Sequence, residues 1–153
     1  MIQRDYILRL IDQLGAFLRA LVGSGGEIKR PETAISDASQ SDAALEKACQ
    51  EAIGLSFRII KEMAPEELVE LLRSGGATWI SRCFLVARLF EFDAEIAARV
   101  NQYYRAKQSL QRALYFYSLL RSNPEVPNEY CVQERFEHAV KLLAEADYNC
   151  GAA

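Results

Sequence analysis

Helix breakers in this chain are gathered into a few short clusters, and between them apolar residues recur every three or four positions. That spacing lines up apolar side chains on one face of a helix, whereas a half-buried strand needs alternation. Only four prolines and eight glycines occur in 153 residues, too few turn signals for a many-stranded sheet. The expected fold class is all-α, an antiparallel helical bundle of about six helices. A domain of this length buries roughly 70% of its unfolded surface, so it can fold without disulfide or metal staples.

The first helix is expected within 1–22, where Ile7, Leu10, Ile11, Leu14, Phe17 and Leu18 form one stripe. Residues 23–41 are rich in Gly, Ser, Asp and Glu and lack periodicity, so they read as a flexible linker. Residues 42–150 read as the main helical domain. Its opening helix should run from Asp42 to Met63, capped by Ser39 or Ser41. A short helix follows from Pro65 to Arg73, stopped by Ser74-Gly75-Gly76. The next, from Ala77 to Arg99, is apolar almost all round, which marks a central helix covered on more than one side. Its polar strip is Ser81, Arg88, Glu91, Glu95 and Arg99, with Glu95 and Arg99 spaced for an ion pair. A break at Asn101 precedes a helix from Gln102 to Arg121. The last helix follows the Pro127-Asn128 turn and extends to Asp147.

Several classes of chemistry are disfavoured. A net charge of −3 does not suit a general polyanion binder. Met1 is followed by Gln3, Arg4 and Asp5 rather than a basic and then apolar run, so a cytoplasmic location is expected. No run of about 18 apolar residues exists, so no membrane-spanning helix is expected. The polar face of the first helix mixes Arg4, Arg9 and Arg19 with Asp5 and Asp12, which disfavours a membrane surface as partner. Cys49, Cys83, Cys131 and Cys150 are widely spaced, without a CxxC, and are expected as thiols. The first three read as buried small hydrophobes and Cys150 as part of a frayed terminus.

No HExxH, cysteine knuckle, EF-hand loop, P-loop or GxSxG occurs. No catalytic residue, metal ligand or cofactor is therefore assigned, and the chain reads as non-enzymatic. His138 is the sole histidine. Cys131 lies two helical turns before it, about 10 Å away along the backbone, too far to share one metal. Glu134, one turn before His138, is the expected surface partner.

One charge asymmetry stands out. From Ile96 to Pro124 no acidic residue occurs, while Arg99, Arg105, Lys107, Arg112 and Arg121 alternate with Tyr103, Tyr104, Tyr115, Phe116 and Tyr117. Basic and aromatic groups together can stack on RNA or clamp an acidic peptide. Arg99, Tyr103, Tyr104, Arg105, Lys107 and Arg112 are the candidate partner groove. The tail after Pro124 carries Glu125, Glu129, Glu134, Glu137, Glu145 and Asp147, so the last two helices can also neutralise each other.

The stretch from Leu89 to Pro124 resembles a tetratricopeptide (TPR) helix pair, through Ala106, Ala113, Tyr117 and Pro124. Asp5-Tyr6-Ile7-Leu8-Arg9-Leu10-Ile11 resembles the opening helix of an uncharacterised family of short bacterial helical proteins, which continue into a TPR-like region. That resemblance implies a bacterial cytosolic helical protein and brings no catalytic residues. The expected function is a protein–protein interaction or scaffold module with a protein or peptide partner. An RNA-binding accessory protein is an alternative. A helical-bundle small-ligand binder or enzyme, with a pocket beside Trp79 and Tyr103, is another. The apolar stripe Ile7, Leu10, Leu14, Phe17 and Leu18 is a candidate homodimer contact.

Overall fold

The computed structural model describes residues 2–22, 31–76 and 78–151, with side chains described over 6–17, 40–76 and 78–151. Among them seven helices run in order: α1 (Ile2–Val22), α2 (Pro31–Ile53), α3 (Phe57–Glu62), α4 (Pro65–Arg73), α5 (Trp79–Arg99), α6 (Tyr103–Arg121) and α7 (Val132–Gly151). A single 3-10 turn, Asn128–Tyr130, precedes α7. No strand occurs among the described residues, and no helix is long and apolar enough to cross a membrane.

Helix α5 is the hub. Every residue from Cys83 to Ala94 is buried, because α1, α2, α4 and α6 all pack against this helix. That is the arrangement an all-round apolar helix requires. Asn101 adopts the left-handed conformation, φ 61°, and the Gln102 N–H donates to the Ala97 carbonyl at 2.8 Å. This cap reverses the chain, so α6 returns antiparallel along α5. Helix α7 packs in turn on α6. Its entry is pinned to α5: Tyr130 stacks on Phe84 with centroids 4.3 Å apart, and its hydroxyl lies 2.6 Å from Ser81 Oγ.

Several boundaries differ from the sequence expectation; α7 runs past the expected end at Asp147 to Gly151, so Cys150 is half-buried in a helix rather than in a frayed terminus. Helix α2 begins at Pro31, so residues 31–41 of the expected linker are helical, and Ser41, expected as a cap, is buried within the helix. Pro31 suits a first helical position. Ile35, Ala38, Ser41, Leu45 and Ala48 stand at helical spacing, but small residues hide the stripe. Residues 23–30, the first part of the expected linker, lie outside the described residues. The expected helix from Asp42 to Met63 is instead split. Gly54 has φ +84° and its N–H donates to the Gln50 carbonyl at 3.0 Å, closing α2 with a left-handed cap. Helix α3 restarts at Phe57, whose N–H is accepted by Glu46 Oε2 of α2 at 2.9 Å.

The N-terminal stripe is in contact with the rest of the bundle. Helix α1 packs on α2 and α5, and Ile7, Ile11 and Leu14 belong to the buried core. Leu10 is half-buried, Phe17 is exposed, and the Leu18 side chain lies outside the described residues. All four cysteines are free thiols. Cys49 and Cys83 are fully buried, and burial pushes both thiols up to about 12. Cys131, expected in the core, is exposed instead. It occupies the left-handed turn, φ 53°, that feeds α7.

Candidate functional site

Helix α7 packs chiefly on α6, and a cleft of about 410 Å³ opens between α5, α6 and α7. Its floor is made of alanines, Ala94 and Ala98 from α5, Ala106 from α6 and Ala146 from α7, with Leu110 and Leu142 beside them. Single methyl groups at these positions leave room that larger side chains would fill. The walls are polar: Glu95 and Arg99 come from α5, Tyr103 from α6, and His138, Glu145 and Asn149 from α7.

Beside the cleft lies a buried charged group. Glu91 is fully buried on α5, and Tyr117 of α6 donates its hydroxyl to Oε1 at 2.8 Å. The Arg88 guanidinium donates to Oε2 and lies over the Phe92 ring, 4.4 Å from its centroid. Arg135 of α7 comes within 3.5 Å of the same oxygen. Burial, and then the neighbouring Glu91 carboxylate, push the Tyr117 hydroxyl well above its usual range.

Glu95 stands one turn after Glu91, on the same face of α5. It makes no hydrogen bond or ion pair with any described residue, and the expected pair with Arg99 does not form. Burial first, and the Glu91 carboxylate second, hold its carboxyl above the ordinary range, while Arg88, His138 and Arg99 pull the other way. His138 reaches the same place from α7. The oxygen and nitrogen ligand atoms of Glu91, Glu95 and His138 all lie within 4.8 Å of one another. Two carboxylates and an imidazole form a donor set suited to a divalent cation.

A second buried carboxylate serves the fold. Asp93, fully buried, accepts from Ser109 and Arg105 of α6, and Lys61 of α3 lies 3.6 Å away. Arg105 also donates to Asp42 of α2 at 3.0 Å. Asp93 thereby ties α5 to α6 and α3, and Arg105 extends the network to α2.

The basic–aromatic window is distributed by these contacts. Arg99 and Tyr103 line the cleft, and Tyr104 is 70% exposed. Arg105 is engaged by Asp93 and Asp42, and Lys107 by Asp147 at 2.6 Å. Arg112 donates to the Met63 carbonyl at 2.7 Å, and Arg121 lies over Phe136. Charge neutralisation thus comes from α2 and α5 as well as from α7. His138 is not bonded to Glu134 but faces the carboxylates of α5. Trp79 does not line the cleft: the Arg73 guanidinium covers its ring, 4.9 Å from the centroid.

The sequence offered one signal for this site, the polar strip on an otherwise apolar helix. It gave no sign that α7 would bring His138 and Glu145 to that strip. No protein-family model, curated protein or solved structure matches the chain.

Proposed function

We propose that the chain is a helical ligand-binding protein whose α5–α6–α7 cleft takes a small polar ligand. The observation that carries this reading is the cleft itself, about 410 Å³ with an alanine floor and convergent charged walls. That volume falls in the usual range for small-molecule sites, and the mix of apolar surface with a few placed polar groups is what such sites need. Glu95 supports the reading further, since it lines the cleft without a partner of its own. The test is a thermal-shift screen of small polar metabolites at neutral pH on the wild-type chain and on Ala98→Leu. Leucine at this half-buried cleft position fills the space. Compounds that raise the melting temperature of the wild type should lose that effect in Ala98→Leu. A screen in which no compound discriminates the two chains overturns the reading.

A second reading keeps the expected TPR-like interaction module. It is favoured by Tyr104 and Tyr148, 70% and 77% exposed, which stand next to the Lys107–Asp147 ion pair. Aromatic rings beside charges are common anchors for a protein partner. Under this reading, Tyr104→Ala with Tyr148→Ala should abolish capture of a defined partner and leave the fold unchanged.

A further inference from the structure

We infer that Glu91, Glu95 and His138 form a binding site for one divalent transition-metal cation at the inner edge of the cleft. This rests on the cleft reading and adds a cation at the edge of the same cleft, where Glu95 and His138 line it.

The geometry is close to what an ion needs. Metal–oxygen and metal–nitrogen bonds of about 2.0–2.2 Å place two ligands of one ion up to about 4 Å apart. The three donors here lie within 4.8 Å of one another, so closing by less than about 1 Å suffices. His138 can supply that movement, because it is exposed and sits on the wall of an open cleft.

The surroundings are also of the right kind. Glu91 is oriented by Tyr117 and Arg88, one on each oxygen. An ionised carboxylate has about four lone-pair sites, so acceptor capacity remains. Donors behind a ligating carboxylate are the usual means of fixing it toward a metal. Glu95 is the more telling residue. It is half-buried one turn from another carboxylate, and no described cation or donor is bonded to it. A cation between the two carboxylates would replace that repulsion with attraction. Arg135 does not block the site. Its side chain is 41% exposed and 3.5 Å from Glu91, so it can turn to water when the ion enters. Arg88 stays, bonded to Glu91. Imidazole with carboxylates selects zinc, manganese or iron over calcium, which prefers six or more oxygens.

His138 is the only histidine, so its ring signals in a proton NMR spectrum report on this site alone. The full chain is titrated at pH 7 with Zn²⁺, and separately with Mn²⁺, with total uptake followed by calorimetry. One Zn²⁺ per chain should shift the His138 ring signals, and Mn²⁺ should broaden them at sub-stoichiometric ratios. Glu95→Gln keeps the histidine and should weaken Zn²⁺ binding by about tenfold or more. Glu134→Gln, one turn from His138 on the exposed side, should leave it unchanged. Equal affinity in Glu95→Gln and wild type would identify a surface imidazole only and overturn the inference. Uptake that leaves the His138 signals unmoved, as at Cys131 or Cys150, overturns it as well. Failure here is separable from failure of the cleft reading, which is scored by organic ligands and Ala98→Leu.

Discussion

Glu91 and Asp93 are both fully buried carboxylates of α5, two residues apart and therefore on different faces of the helix. Removing each leaves a different remainder. Glu91→Ala strands Arg88, whose side chain is 8% exposed and has nowhere to turn for solvent. Breaking a buried pair in this way costs about 3–5 kcal/mol, because an uncompensated charge stays inside. Asp93→Ala releases Arg105 and Lys61, whose side chains are 28% and 36% exposed and can rotate into water. The main residual cost is then the buried Ser109 hydroxyl, about 1–3 kcal/mol. Urea midpoints at pH 7 should rank wild type above Asp93→Ala above Glu91→Ala. The reverse order of the two variants would show that Arg88 finds another acceptor and that Glu91 is not the anchor of this cluster.

Helix α3 takes its N-terminal cap from a neighbouring helix. It has six residues, and Ser56 at its N-cap makes no side-chain capping bond. The Phe57 N–H is instead accepted by Glu46 from α2, so a carboxylate meets the positive end of the helix. The Ser56 hydroxyl is the largest influence on the Glu46 carboxyl; burial comes second and opposes it, and Gln50 with the amides of Phe57 and Arg58 tips the balance to below the ordinary value of 4.5. A depressed folded value means stability present above the unfolded value and lost as pH falls through the folded one. Glu46→Gln should therefore cost about 0.5–1 kcal/mol at pH 7, the range of an exposed cap. The gap to wild type should shrink as pH falls below 4.5. Urea unfolding of both chains at pH 7 and pH 3 checks this, and a gap independent of pH excludes the charge as its source. The same stretch shows why some boundaries could be read and others could not. Trp79 to Phe92 has apolar residues on every side, a pattern only a central helix satisfies. Pro65 and Asn101 carry local signals for a start and a stop. Gly54 sits inside a continuing apolar rhythm, Leu45, Cys49, Ile53, Phe57, Ile60, so periodicity runs straight through the break. Residues 31–41 have the opposite problem, a helix written largely in Ser, Asp and Ala, residues with little apolar signal of their own.

The bundle as a whole makes its cleft by placement rather than by any local motif. Glu91 and Glu95 could be paired from their spacing on one helix, but His138 comes from a helix 43 residues later in the sequence. Only the docking of α7 on α6 brings it there, and no spacing along the chain records that. Helix α1 raises the same issue of placement. The apolar stripe, read with the expected 23–41 linker, suggests a contact with a second copy, yet the same stripe has a place in the chain's own core. Ile7, Ile11 and Leu14 are 3%, 6% and 6% exposed, set against α2 and α5. Burying side chains of this kind contributes about 1.5–3 kcal/mol each, so α1 supplies on the order of 5 kcal/mol. That is a large fraction of the net stability of a single domain, about 5–15 kcal/mol. Deleting residues 1–22 should therefore lower the urea midpoint sharply and expose the apolar surfaces of α2 and α5 that α1 covers. Light scattering should then give a single-chain mass for the full protein and a larger, heterogeneous mass for the truncated one. A dimer of the full chain that dissociates to stable monomers on truncation would instead assign the stripe to a second copy. Phe17, 42% exposed at the far end of the stripe, separates the two cases without altering the core. Phe17→Ser should leave the mass of the full chain unchanged if the stripe faces inward, and should split a dimer if it does not.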